Sequence, residues 1–308
     1  MTIQDQLKLI QGLSGLTQEA LARRLGVTFA AYNRWANARA TPRLKAQSKI
    51  AELYREYTGQ KEIPVDVLDA KKEIILGQRQ NHKSVINTIL NNPDIRDQFY
   101  LSLTYHSNRI EGSTLTEHDT AAILFQNAAL PNKSLTEQLE AKNHQSALTY
   151  LFDYVVGKQK LEEAFILKLH SILMNSIRDD AGFYRRHGVR IVGTYVPTAN
   201  FLKIPDLMEQ LVRDIHKKSK DIISQVAEIH SRFEKIYPFA DGNGRIGRLL
   251  IHAMLLKQNL PPAVIKQERR RLYMAYLNKA QMKDDLSNLT DFICDAVLDG
   301  HKILERKN

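Results

Sequence analysis

The stretch with the most chemistry in it is Tyr237-Pro238-Phe239-Ala240-Asp241-Gly242-Asn243-Gly244-Arg245-Ile246-Gly247-Arg248. Two readings fit the glycines around Asn243. Between alternating strands, Asp241–Gly244 would be a type I′ hairpin turn. At the start of a helix, the same residues would make a nest of backbone N–H groups at a positive dipole end, which is an anion site. Arg245 and Arg248 add donors suited to phosphate oxygens. Asp241 adds a hard carboxylate suited to Mg²⁺ on that phosphate. Spacing alone leaves phosphate binding and a structural turn evenly matched.

The elements around the loop are helical rather than alternating. Residues Ile222–Ile236 precede it and Arg245–Leu256 follow, both with apolar residues at helical spacing. Similar spacing predicts helices over Leu101–His106, Leu135–Val156, Leu161–Met174 and Pro205–His216, and Ile3, Leu7 and Ile10 share a face near the N-terminus. The exception is 189–196, a β-branched and aromatic stretch broken by Gly193 and closed by Pro197, which predicts a short hairpin. The fold class expected is all-α with one small β-hairpin.

The loop resembles the Fic-family signature H-x-F-x-[D/E]-G-N-G-R-x-x-R at every position but the first. Phe239, Asp241, Gly242, Asn243, Gly244, Arg245 and Arg248 all match. A GFYR stretch at Gly182–Arg185, the 189–196 segment and an IP-x-LM segment at Ile204–Met208 agree, and the resemblance spans about residues 95–298. It implies transfer of AMP from ATP to a hydroxyl of a target protein. Asp241 would hold Mg²⁺, and Asn243 with the amides of Gly242 and Gly244 would grip the α-phosphate region. Arg245 and Arg248 would hold the β- and γ-phosphates. Phe239 would pack to set the loop, and the hairpin at 189–196 would be a flap that clamps the target by strand pairing. Tyr273 would lie near the adenine.

The departure falls on the general base. Tyr237 stands where the family has histidine. Imidazole titrates near neutrality, whereas a phenol has a pKa of about 10. A neutral phenol accepts protons poorly, so the rate should fall by roughly the 10²–10⁴ that a positioned base supplies. His230, seven residues earlier, reads as a structural helix residue rather than a substitute base.

Upstream, Ser107-Asn108-Arg109-Ile110-Glu111-Gly112 resembles the inhibitory-helix motif [S/T]-x-x-x-E-[G/N] of self-restrained Fic proteins. The resemblance implies an inhibitory helix near 101–112 and an ion pair of Glu111 with Arg248. There a carboxylate competes with a phosphate for one guanidinium. Without the family, Glu111 would be a surface acid before a glycine turn.

Residues 16–36, LTQEALARRLGVTFAAYNRWA, carry two helices and a tight turn. Thr17 can cap the first helix, Glu19 puts an acid in its first turn, Gly26 ends it, and Thr28 caps the second. This is helix-turn-helix geometry. The string resembles the Cro/repressor-like family over roughly residues 3–55, at Gln18, Ala22, Leu25, Gly26, Val27 and Trp35. The resemblance implies DNA contacts from Gln18, Phe29, Ala30, Asn33 and Arg34, and a homodimer on a palindromic site. Ala30 and Ala31 offer only methyl groups, and Tyr32 replaces a small aliphatic residue. A helical protein-interaction module is the competing reading.

Composition agrees with a folded, two-module chain. Of 308 residues, 43% are hydrophobic and 25% charged, which excludes disordered, collagen-like and disulfide-stapled classes. One cysteine, Cys294, permits no intramolecular disulfide and suits a reducing cytoplasm. No apolar run reaches membrane-spanning length, the nearest being Leu249–Leu256, and the N-terminus lacks a secretory signal. Residues 1–62 hold ten Lys/Arg against five Asp/Glu, so a fifth of the chain carries half of the +10 net charge. The expected division is 1–58 for a helix-turn-helix domain, 59–94 for a linker and connecting helix, and 95–308 for the Fic domain. Arg269-Arg270-Arg271 reads as a solvated face, and no His/Cys cluster suggests zinc. Two functions follow: a self-inhibited AMP transferase impaired at Tyr237 and joined to DNA binding, or a non-catalytic, nucleotide-sensing transcription regulator.

Overall fold

A computed structural model describes residues 2–191 and 196–306. Its helices run in the order α1 (Ile3–Ser14), α2 (Gln18–Leu25), α3 (Phe29–Ala36), α4 (Leu44–Tyr57), α5 (Val65–Gln78), α6 (Val85–Asn91), α7 (Pro93–Ile110), α8 (Glu117–Gln126), α9 (Leu135–Val156), α10 (Glu163–Leu173), α11 (Ile204–Ile215), α12 (Ile222–Ile236), α13 (Asn243–Lys257), α14 (Arg270–Lys283) and α15 (Ser287–Leu304). The fold is all-α; no strand occurs among the described residues. Among these residues no helix is long and apolar enough to cross a membrane.

The N-terminal helices form as their caps dictate. Thr17 Oγ1 accepts from Ala20 N at 3.2 Å, Gly26 ends α2 in the left-handed region, and Thr28 Oγ1 accepts from Ala31 N at 3.3 Å. Tyr32 is fully buried in the core, so the aromatic in place of a small residue is accommodated by packing. Trp35 packs partly buried against the same core.

The centre of the larger part is α13, which contacts α7, α9, α10 and α12. It is apolar nearly all round, as a helix with neighbours on every side must be, and Leu249–Leu256 is buried throughout. The long apolar run is therefore core. Cys294 is also fully buried, and burial pushes its thiol up to about 12, so it packs rather than reacts.

The hairpin expected over 189–196 is not seen as strand at Val189, Arg190, Ile191 or Val196, and its centre, 192–195, lies outside the described residues. The two sides are joined by a hydrogen bond from Thr198 Oγ1 to the Val189 carbonyl, 2.8 Å. A β-branched run dictates strand only when a partner strand exists.

Candidate active site

The Gly-rich loop links α12 to α13, and its shape is held from behind. Tyr237 caps α12 in the left-handed region with φ 52° and ψ 62°. That conformation costs a non-glycine residue about 1–2 kcal/mol. Arg185, buried, offsets it. Its Nε donates to the Tyr237 carbonyl at 2.7 Å and its Nη2 to the Ala199 carbonyl at 2.6 Å, while its backbone N–H reaches the Pro238 carbonyl at 3.0 Å.

His170 from α10 is the second support. Its ring stacks on Phe239 with centroids 3.7 Å apart and planes 5° from parallel. Nδ1 accepts from the Gly182 amide at 2.8 Å, so Nε2 carries the proton and donates to the Asp241 carbonyl at 3.2 Å. Burial pulls this imidazole down to about 4, which keeps it neutral. Nothing in the local sequence marks His170, and Arg185 is marked only by the GFYR stretch. A histidine 67 residues before the loop carries no local signal of its role.

The loop residues divide by where their side chains go. Asn243 is 1% exposed and turns inward: Oδ1 accepts from Phe239 N and Nδ2 donates to Phe239 O, each at 2.9 Å. In this arrangement its amide staples the loop. Arg245 turns inward too. It is buried against Glu140 of α9, Nη1 to Oε1 2.6 Å, rather than turned to the cavity. Asp241 remains outward; its Oδ1 accepts from Gly242 N at 2.6 Å, and its side chain is 55% exposed.

Gly242 and Gly244 are required by geometry. Gly242 has φ 79°, and a Cβ there would stand 3.0 Å from Met174 Sδ. A Cβ on Gly244 would collide with Glu111 Oε1. The Glu111 carboxylate thus rests on the first turn of α13, where amides lack intrahelical acceptors and the dipole is positive.

Arg248 is 2% exposed and fully engaged. Nε donates to Ser107 Oγ at 2.9 Å, and Nη2 donates to the Ser107 carbonyl at 3.0 Å and to Glu111 Oε1 at 2.6 Å. Ser107 and Glu111 come from the C-terminal turn of α7, so the two sequence motifs meet at one guanidinium. His230 and His252 face Arg248 from α12 and α13. Burial, with the guanidinium charge adding to it, pulls both down to about 3. His230 Nε2 pairs with the Tyr273 hydroxyl at 2.6 Å, a structural role as expected.

In front of this lies a cavity of 810 Å³, lined by Glu111, Tyr237, Gly244 and Arg248 on one side and by Arg270 and Tyr273 of α14 on the other. Among the ionisable groups on its wall, Tyr237 and Glu234 are both shifted upward. Burial, then the nearby carboxylates of Glu234, Glu111 and Asp241, pushes Tyr237 up to about 12. Burial pushes Glu234 up to about 8, and its Oε1 has no hydrogen-bond partner among the described residues. At neutral pH both are protonated.

In the N-terminal part, Phe29, Ala30 and Arg34 are exposed on α3, and Asn33 Nδ2 donates to Gln18 Oε1 at 3.1 Å. The five expected DNA contacts therefore share a region, with Gln18 and Asn33 bonded to each other. No group of three or more His, Cys, Asp or Glu able to hold a metal occurs among the described residues.

Comparisons with known proteins find similarity in both parts of the chain. A Fic/DOC family model matches residues 160–255, and a helix-turn-helix model matches residues 8–59. The chain is 29% identical over 236 residues to a protein adenylyltransferase Fic of Drosophila virilis, covering 75% of this chain and 48% of that protein. It is 32% identical over 194 residues to the protein of the same name from Nematostella vectensis, covering 60% and 44%. The chain thus spans about half the length of the curated relatives it matches. Among solved structures, Fic-1 from C. elegans aligns with TM-score 0.67 at 21% identity, over 92% of this chain and 84% of that one. A Fic domain containing signaling protein from Bacteroides thetaiotaomicron aligns with TM-score 0.64 at 23% identity, over 77% and 99%. On the loop built from α12 to α13 and on these matches, the chain carries a Fic/DOC-family domain preceded by a Cro/repressor-type helix-turn-helix domain.

Proposed function

We propose that the chain is a Fic-type AMP transferase scaffold, restrained by Glu111, impaired in chemistry by Tyr237, and joined to DNA binding through residues 1–58. The observation that carries this reading is the Glu111–Arg248 ion pair over the first turn of α13. A carboxylate occupies a position suited to an anion, paired with Arg248 and close to the N-terminus of α13. A phosphate of ATP is the ligand whose charge and acceptor geometry match, and the two compete.

Asp241 fits a supporting metal role in part. Its carboxylate is outward and its Oδ2 is free of the Gly242 contact, but one carboxylate does not make a site. Mg²⁺ held by one carboxylate plus substrate phosphates and water is the usual arrangement for this ion. Bound there, Mg²⁺ would neutralise phosphate charge. Asn243 and Arg245 act as framework: they hold the loop against Phe239 and α9.

Transfer would require the target hydroxyl oxygen to attack the α-phosphorus, the bond to the β-phosphate oxygen to break, and the hydroxyl proton to leave. Tyr237 stands where that proton would be accepted. A phenol pushed up to about 12 holds its own proton across the physiological range and is a poor acceptor for a second one. Slow or absent transfer follows, and the same fact favours the second reading, a nucleotide-sensing regulator without turnover. Incubation with labelled ATP and Mg²⁺, with Glu111→Gly as background, separates the two. Protein labelling that appears with Tyr237→His supports a transferase scaffold; its absence with nucleotide still bound supports the sensor.

A further inference from the structure

Helix α14 lines the cavity through Arg270 and Tyr273. It packs against α12 and α15, and also against α1 and α4 of the helix-turn-helix part. Thr58, immediately after α4, lines the same cavity.

The first two residues of α14 divide these attachments. Arg270 Nε donates to the Ile110 carbonyl at 2.5 Å. Ile110 is the last residue of α7 and directly precedes Glu111. The Arg271 guanidinium lies 3.7 Å from where a Cβ on Gly15 would stand. Gly15 makes the left-handed turn between α1 and α2. The arginine run read from sequence as a solvated face is partly anchored: Arg269, half-buried, pairs with Asp295 at 3.1 Å and stacks on Phe292, and Arg270 holds the Ile110 carbonyl, while Arg271 is exposed over Gly15.

We propose that Arg270 is the positioning residue of the Glu111–Arg248 lock, and that the Arg270–Arg271 pair couples this lock to the helix-turn-helix domain. Nucleotide and DNA then change each other's affinity. The inference rests on the nucleotide reading above.

The physical steps are short. The last carbonyls of a helix lack intrahelical partners, and a cation there satisfies them and opposes the negative dipole end. Arg270 does this for the turn that carries Glu111. Without it that turn frays, and the carboxylate loses its fixed place over α13. In this proposal a phosphate that displaces Glu111 shifts the turn that carries it, and the Arg270 contact then breaks or carries α14 with it. Arg271 follows Arg270 on the same first turn of α14, so a shift of that turn moves the guanidinium that lies over Gly15. Coupling of this kind is reciprocal by thermodynamic necessity.

The test is calorimetric titration of the full chain with ATP–Mg²⁺. Arg270→Ala should raise ATP affinity toward that of Glu111→Gly, and Arg270→Lys, which keeps one donor, should stay restrained. In the Glu111→Gly background Arg270→Ala should add nothing. Weaker ATP binding by Arg270→Ala in that background would overturn the positioning role and make Arg270 a phosphate ligand. For the second half, the DNA probe is a duplex enriched by the full chain from a random library. Saturating duplex should change ATP affinity by about 5- to 100-fold, the usual span of coupling. Arg271→Ala should still bind duplex yet lose that change. Equal ATP affinity with and without duplex, or failure to enrich any duplex, overturns the coupling. Failure of Glu111→Gly itself to bind ATP is a separate result, and it overturns the nucleotide reading along with this one.

Discussion

Glu111 Oε1 lies 2.6 Å from Arg248 Nη2, and the pair is asymmetric: the arginine side chain is 2% exposed, the glutamate 36%. The cation is fixed by two further bonds to Ser107, whereas the anion is held at the cavity mouth. Such a pair yields at its exposed end. The partner that leaves is the one a phosphate can replace.

Release of that end is the first prediction. Glu111→Gly should bind ATP–Mg²⁺ more tightly than the unchanged chain, and Arg248→Ala should weaken binding in either background. Removing one partner of a buried pair typically costs about 3–5 kcal/mol. The cost should be smaller here, because Glu111 is partly solvated and Arg248 keeps Ser107. Thermal unfolding with and without ATP–Mg²⁺ reads both effects. Unchanged ATP affinity in Glu111→Gly would count against the competition.

The second prediction joins Glu111 and Tyr237, which obstruct different steps. Glu111→Gly alone should bind ATP yet transfer AMP poorly. Tyr237→His alone should regain a base yet stay restrained. The double variant should label protein strongly, with a gain of about 10²–10⁴ over Glu111→Gly and marked non-additivity. Fast labelling by Glu111→Gly with Tyr237 intact would mean that another group takes the proton.

Stability should depend on pH in two opposing limbs. His170, His230 and His252 have folded values of about 4, 3 and 3, below the ordinary 6.5. The unfolded chain binds more protons, so their contribution is present above pH 6.5 and lost as pH falls toward 4. Glu234 is raised from 4.5 to about 8. The folded chain binds that proton, so its contribution is present below pH 4.5 and lost as pH rises to 8. Each proton is worth about 1.4 kcal/mol per pH unit. Denaturant unfolding should show a maximum near pH 6.5, and Glu234→Gln should flatten the alkaline limb. An alkaline limb that persists in Glu234→Gln assigns it to another group.

DNA affinity should fall steeply with salt, as the basic character of residues 1–62 requires. Arg34→Ala should weaken binding to all duplexes alike if it meets phosphate, or relax selectivity at one base pair if it reads guanine. Asn33→Ala should also free Gln18. Fluorescence anisotropy across a salt series measures each; a flat salt response would leave the protein-interaction reading in its place.

His170→Ala should loosen the loop from behind. It removes the stack on Phe239 and the bond to the Asp241 carbonyl, and leaves the Gly182 amide without its acceptor. A loss of about 2–4 kcal/mol is expected from a buried aromatic truncation with an unpaired donor. ATP binding should weaken in the Glu111→Gly background as well, as calorimetry would show.

What the sequence by itself determined is what depends on neighbours along the chain. Thr17, Gly26 and Thr28 bound α2 and α3 because caps act within one turn. The all-α class followed from the helical spacing of apolar residues, and both motifs, around Glu111 and around Asn243, stood out by residue type. Tertiary structure decided where the polar side chains point. Asn243 and Arg245 belong to the phosphate motif by type, yet packing against Phe239 and Glu140 claims their donors. His170, silent in the sequence, and Arg185, marked there only within the GFYR stretch, shape the loop because α10 and the segment after it pass behind it. The arginines at 269–271 look like a solvated run because charge is visible and partners are not. Only the fold brings Ile110 and Gly15 to them. Burial, which a sequence does not print, also decides the proton inventory, raising Tyr237 and Glu234 and lowering the histidines around Arg248.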